Sequence, residues 1–196
     1  MNHVINNKNT DYERYKKDVY FGCYLFLVCF LLANLEIQIE GPNGWASNLP
    51  TWKTDNPIIT WIFVGKPVTG YHIFLNLLLL ILFHFPFLFQ KYSAMIEFKI
   101  LYSYIIICVV WDYHWFIMNP YFGLQKFKAG NIWWFKNWLA GFPLDYYLGV
   151  IFSLILYISP VIFSKVRLKR RLYSWFTITF TLFLLTMIMS IIVKVL

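Results

Sequence analysis

Glu36 and Glu40 stand one helical turn apart at the far end of an apolar run, and Leu35 and Ile37 flank the first of them. Carboxylates so spaced can share a proton or a divalent cation. His72 lies near the start of a second apolar run, and Asp112 near the end of a third, within Trp111-Asp112-Tyr113-His114. If Glu36, Glu40, His72 and Asp112 meet, they offer three carboxylates and an imidazole, a donor set for a divalent metal. Glu36, Glu40 and Asp112 are then also the candidate catalytic acid–base groups. His72 and His114 could reach one haem iron from neighbouring helices, which ranks behind a divalent metal because a lone His near an interface is usually only hydrogen-bonded. The chain has no HExxH, no repeated ExxH, no GxSxG, no Walker A segment and no Gly-rich dinucleotide loop. Nucleophilic hydrolysis and nucleotide chemistry therefore lack a sequence basis.

The elements that must position these groups follow from composition. The 196 residues are 60% hydrophobic and 13% charged, with a mean hydropathy of +0.58, far from the balance of a water-soluble domain. Five stretches are long enough to cross a bilayer as helices, about 19–40, 68–89, 98–118, 142–163 and 172–193. At about 1.5 Å per residue, some 22 residues cover a hydrocarbon core of about 30 Å. In lipid such spans must be helical, because an open strand leaves backbone groups without partners. The expected fold class is an all-α membrane protein, a bundle of about five transmembrane helices forming one domain over 1–196. The polar stretch before the first run and the absence of a small-x-small site after it predict that the first helix is retained. Cys23, Cys29 and Cys108 fall inside apolar runs and are odd in number, which points to packing rather than a disulfide framework.

Charge gives an orientation. Lys8, Arg14, Lys16, Lys17, Lys91, Lys99, Lys165, Arg167, Lys169, Arg170 and Arg171 would share one side, eleven of the seventeen basic residues, leaving six opposite. The positive-inside rule then places the N-terminus in the cytoplasm and the C-terminus outside. The net charge of +8 is thus a topology signal and a headgroup anchor, and nucleic acid is not an expected partner. On this topology Glu36, Glu40, His72, Asp112 and Asp145 all come near the outer ends of their helices. Helical spacing also aligns Cys29, Glu36 and Glu40; Thr69, His72 and Asn76, with His84 deeper; Cys108, Asp112 and Asn119; and Asp145, Gly149 and Ser153.

Two outer loops, about 41–67 and 119–141, carry turn signals at Gly41-Pro42-Asn43-Gly44, Asn119-Pro120 and Gly141. Trp45, Trp52, Trp61, Trp111, Trp115, Trp133, Trp134 and Trp138 lie in or beside them, eight of the nine tryptophans. An aromatic belt normally marks both interfaces, so a one-sided excess suggests more than anchoring. Asn131 to Leu139 is expected to form a short interfacial helix, and Pro57 to Val64 a segment too short to span that dips into the outer leaflet; together they could make a lid.

Glu40-Gly-Pro-Asn-Gly-Trp-Ala-Ser-Asn-Leu-Pro-Thr-Trp52, Pro67-Val-Thr-Gly-Tyr-His72 and Trp115-Phe-Ile-Met-Asn-Pro-Tyr-Phe-Gly123 resemble segments of small multi-pass membrane proteins from prokaryotic genomes. That resemblance implies a prokaryotic cytoplasmic membrane as the location and assigns no catalytic residue.

The leading expectation is a binding or accessory membrane protein with an outward pocket for a lipid or small amphiphile, built from Trp45, Trp52, Asn76, Trp115, Asn119 and Asp145 around the acidic groups. A membrane-embedded, metal-dependent lipid-modifying enzyme using Glu36, Glu40, His72 and Asp112 is the alternative. A small transporter comes third, because the polar stripes stop near the outer half and no internal repeat is present. The competing structural account is that these acids are solvated at headgroup level or pair with Lys66 and Lys136.

Overall fold

The computed structural model describes residues 2–54, 56–63, 65, 66 and 68–195, with side chains described from Asp11 onward apart from Ile62. Val64, Pro67 and the Lys8 side chain, which entered the expectations above, lie outside the described residues.

Helix α1 runs Asn2–Glu40, α3 Gly70–His84, α4 Ala94–Met118, α5 Leu144–Ile158 and α6 Leu168–Val195, with a short α2 at Pro57–Ile62. Five of them, some counted with the single 3₁₀ turn that follows, are long and apolar enough to cross a membrane. Their outer surfaces are apolar: Leu27, Leu31 and Leu35 on α1, Leu77, Leu78 and Ile81 on α3, and Ile188 and Ile191 on α6 are all exposed. That arrangement suits lipid as the surrounding solvent.

Helix ends have local causes. Pro86 and Pro160 cannot continue an α-helix, and α3 and α5 each finish in a 3₁₀ turn, Phe85–Leu88 and Ser159–Ile162. Asn56 caps α2 by accepting the Ile58 and Ile59 N–H groups, with Pro57 in the first turn. Thr69 caps α3 by accepting the His72 N–H. The first helix is longer than its apolar run. At about 1.5 Å per residue, its 39 residues extend well past one bilayer, carrying Asp11, Arg14 and Lys16 away from the apolar part.

Helix α4 is central: it packs on α1 and on α5, while α6 packs chiefly on α1. Glycine permits the closest approaches. A methyl group at Gly22 would meet the Ile178 carbonyl at 2.8 Å, and one at Gly149 would meet Val109 at 2.4 Å. Small residues matter here because helices in lipid associate through close packing rather than by removal of apolar surface from water. By contrast α3 packs mainly on α4, and two polar links fasten it there. Tyr104 donates to Asn76 Oδ1 at 2.6 Å, and His84 Nε2 lies 3.1 Å from Glu97.

The connections at the end where α1 finishes and α3 begins, here the loop end, hold two small hairpins. Lys53–Thr54 (β1) pairs antiparallel with Val68–Thr69 (β2), and α2 sits within the excursion between them. Trp138–Leu139 (β3) pairs with Phe142–Pro143 (β4). Ala140 and Gly141 between the latter have φ of 46° and 86°, the left-handed pair that a two-residue hairpin demands. The expected interfacial helix over Asn131 to Leu139 is therefore not formed. Turns occupy that segment up to the hairpin, and its side chains explain why: Trp134 and Phe135 are buried, with Trp134 stacked on Phe116 at 6.0 Å and Phe135 edge-on to Tyr146 at 5.6 Å. Burying both on the ends of α4 and α5 overrides helical periodicity. Asn119 ties the two loops by donating to the Gly41 carbonyl at 3.1 Å and accepting the Tyr121 N–H.

Candidate functional site: a cavity at the loop end

A cavity of about 370 Å³ opens among α1, α3, α4 and α5 at the loop end, with Glu36, His72, Asp112 and Asp145 in its wall together with Trp45, Asn76 and Lys66. Each comes from a different stretch of chain, and the helix periodicity that aligned them in sequence turns them inward. Along α4 the lining descends from Asp112 through Val109, Cys108 and Ile105 to Tyr104. At about 1.5 Å per residue that is a trough roughly 12 Å long. Helices α3 and α5 flank it, both packed on α4 and little on each other. Gly149 lies on its α5 side.

The polar end of this space is highly specified. Lys66 Nζ lies 3.0 Å from Asp145 Oδ2, 4.1 Å from the Phe135 ring centre and 5.0 Å from that of Trp45. Asp145 stands in the first turn of α5, where the helix dipole favours a negative charge. Tyr146 donates its hydroxyl to Asp112 Oδ2. The His72 ring lies against Trp45, with centres 4.3 Å apart and planes tilted by 31°, and its Nδ1 is 2.9 Å from Thr69 Oγ1. Glu36 is half-buried because it faces the cavity. It lies within electrostatic reach of Asp112 and Glu40, beside the Tyr71 hydroxyl and the Trp111 indole N–H, although neither donor completes a hydrogen bond. Among the described residues no lysine, arginine or histidine forms an ion pair with Glu36 or Asp112.

Other residues singled out from the sequence lie elsewhere. Glu40 is buried and accepts the Ala46 N–H, clasping a turn in which Trp45 and Ala46 both have a φ of 48°. Its work is to hold Trp45 over His72, one layer away from the cavity. Gly44 in the same turn has no room for a side chain, since a methyl group there would meet Trp134 at 2.7 Å. His114 is fully buried, with Nε2 2.8 Å from Thr186 Oγ1 of α6 and its ring against Phe26. His72 instead faces the cavity, so the two histidines do not flank a common haem space. Asn119 is the loop tie described above, and Trp115 is packed among Phe116, Phe122 and Trp134. Trp52 lies across Gly70, where an added methyl group would meet its indole nitrogen at 2.4 Å. None of these three lines the cavity.

Glu36, Glu40, His72 and Asp112 do not close into a metal centre either: among the described residues no three His, Cys, Asp or Glu side chains group in a way that could hold an ion. Cys29 is buried, with its thiol 3.9 Å from the Ile107 carbonyl, and all three cysteines are free. Tyr104 and Tyr146 are cavity residues that sequence reasoning did not select, although Tyr104 continues the four-residue spacing of Cys108 and Asp112 on α4. Lys66 entered the sequence reading only as an ion-pair partner for the acids, and it pairs with Asp145.

No family model, curated protein or solved structure matches the chain.

Proposed function

We propose that this chain is a multi-pass membrane protein, N-terminus cytoplasmic and C-terminus outside, that binds an amphiphilic lipid-like molecule in the outer-leaflet half of its bundle. One observation carries the reading. The cavity joins a charged, aromatic-walled head space to a largely apolar trough on α4 that runs toward the middle of the bundle between two helices that scarcely touch. A soluble ligand has no use for the trough, and an acyl chain fits it. Pockets of about 300–1,000 Å³ suffice for small ligands, and 370 Å³ accommodates a headgroup with the first part of a chain. Carboxylates held inside apolar helices are costly and ordinarily face a functional space, which favours the cavity over a purely structural role.

Orientation rests on the basic residues near the turns opposite the cavity. A membrane-impermeant thiol reagent applied to intact cells should label Ser47→Cys and spare Ser164→Cys; the reverse pattern would overturn it. Occupancy of the trough is tested on purified full-length protein with a single-chain amphiphile bearing a photoreactive group on its tail. Crosslinks should concentrate on Ile105, Val109 and Gly149 and be competed by unlabelled amphiphile. Equal labelling of lipid-facing Phe74, Leu78 and Ile151, without competition, would remove the case for a binding site.

A further inference from the structure

The head space has an arrangement of charge and hydrogen-bond donors that specifies more than polarity. Its lysine, Lys66, makes its ion pair with Asp145 and lies within electrostatic reach of Asp112, while among the described residues no cation forms an ion pair with Glu36 or Asp112. Each has instead a neutral donor beside it, Tyr146 on Asp112 and Trp111 next to Glu36. The walls around them are the rings of Trp45, Trp111, Tyr104 and Tyr146. Carboxylates ringed by aromatic faces form a receptor for an ammonium group, which gains from both charge and ring quadrupoles.

A second, independent feature asks for the opposite charge. His72 is only 6% exposed, lines the cavity, and its Nε2 has no partner. Thr69 Oγ1 lies 2.9 Å from His72 Nδ1. With the Thr69 hydroxyl donating to Nδ1, Nε2 carries the ring proton and is a buried donor without an acceptor. Lys66 has three N–H donors, of which Asp145 need occupy only one. A buried donor left without an acceptor is destabilising, so these groups mark the position of a ligand oxyanion.

We propose that the bound amphiphile has a zwitterionic head of the aminoalkyl-phosphate kind. Its ammonium sits between Glu36 and Asp112, and its phosphate oxygens accept from His72 Nε2 and Lys66. The proposal rests on the amphiphile reading above and adds the identity of the head. Simple anionic lipids would set a phosphate among unpaired carboxylates, and simple alkylamines would leave the His72 donor empty.

The test compares four probes on the full-length protein in a non-ionic detergent, by native mass spectrometry and by competition with the photoreactive amphiphile. They are lysophosphatidylethanolamine, lysophosphatidylglycerol, dodecylamine and tail-free phosphoethanolamine. The first should bind roughly tenfold or more tightly than each of the other three, the factor expected when a charge-assisted hydrogen bond is lost. Glu36→Gln should abolish the preference over lysophosphatidylglycerol, and His72→Phe, which keeps a ring against Trp45, the preference over dodecylamine. Equal affinity for all three tailed probes, with crosslinks still competed, overturns the headgroup assignment and leaves the amphiphile reading standing. Failure of every tailed probe to compete overturns both. Phosphoethanolamine binding as tightly as its tailed counterpart supports the head chemistry and overturns the tail reading. If either variant does not fold, the probe ranking on the unaltered protein still decides.

Discussion

Polar side chains collect at both ends of the bundle, and the two collections are built differently. Near the turn that joins α5 to α6, Arg171 is buried, donates through Nε and a terminal nitrogen to the Tyr157 carbonyl, and places its guanidinium 4.0 Å from the centre of that residue's ring. Tyr157 in turn bonds Ser174 at 2.6 Å, Tyr102 bonds Thr179 at 3.1 Å, and the two tyrosine rings meet edge-on at 4.8 Å. Every one of these groups ends on another part of the protein. At the loop end, tyrosines, a lysine and carboxylates recur, but they surround a space, and His72 and Trp111 keep donors without acceptors. Polar residues inside apolar helices thus have two uses. A closed network locks helices together, and an open one leaves room for the ligand proposed above.

Substitutions can break or sharpen that contrast, and thermal unfolding of the purified protein in detergent reads most of them. The largest loss is expected for Arg171→Met, which strands the Tyr157 carbonyl. About 1–3 kcal/mol of stability should go, or several degrees at roughly 2–4 °C per kcal/mol for a chain of this size. An unchanged melting temperature would mean that the turn end is not the locked region described. Asn76→Leu removes the Tyr104 link and should cost about 0.6 kcal/mol, the usual worth of a hydrogen bond between membrane helices. Its clearer sign would be faster hydrogen exchange along α3 than along α5; equal exchange would show that α3 is held by something other than its polar links. Smallest of all, Glu36→Gln in ligand-free protein should leave stability within about 0.5 kcal/mol or raise it slightly, because an uncompensated carboxylate in a membrane helix costs rather than contributes. A large loss there would recast Glu36 as part of a closed network and abolish the difference between the two ends.

The helices were legible in the sequence because an apolar stretch long enough to cross a bilayer has few options: in lipid it must be helical. Their ends moved where side chains other than apolar ones decide. Helix α1 begins far upstream of residue 19, since polar residues continue a helix into water as readily as apolar ones do in lipid. The loop segment 131–139 was misread because its fate is set by contacts of Trp134 and Phe135 with helices distant in sequence and by the left-handed turn at Ala140 and Gly141. Within the cavity, Glu36, His72, Asn76, Asp112 and Asp145 could be placed on shared helical faces from spacing alone. Glu40 obeyed the same spacing yet turned to the Ala46 backbone, because it is the last residue of its helix and the turn that follows presents its own N–H groups to the carboxylate. His114 lay off the line of Asp112 in sequence, and it packs accordingly on the α6 side.

The crowding of tryptophan at one end also makes the protein its own spectroscopic probe. Only Trp175, which donates to Ser153 at 3.4 Å, lies at the other end, so intrinsic emission reports almost wholly on the neighbourhood of the cavity. Brominated or spin-labelled quenchers confined to a single leaflet would therefore dim an unlabelled sample strongly from one face and faintly from the other. Occupancy of the head space beside Trp45 and Trp111 could be followed by colour shift alone, with no dye attached.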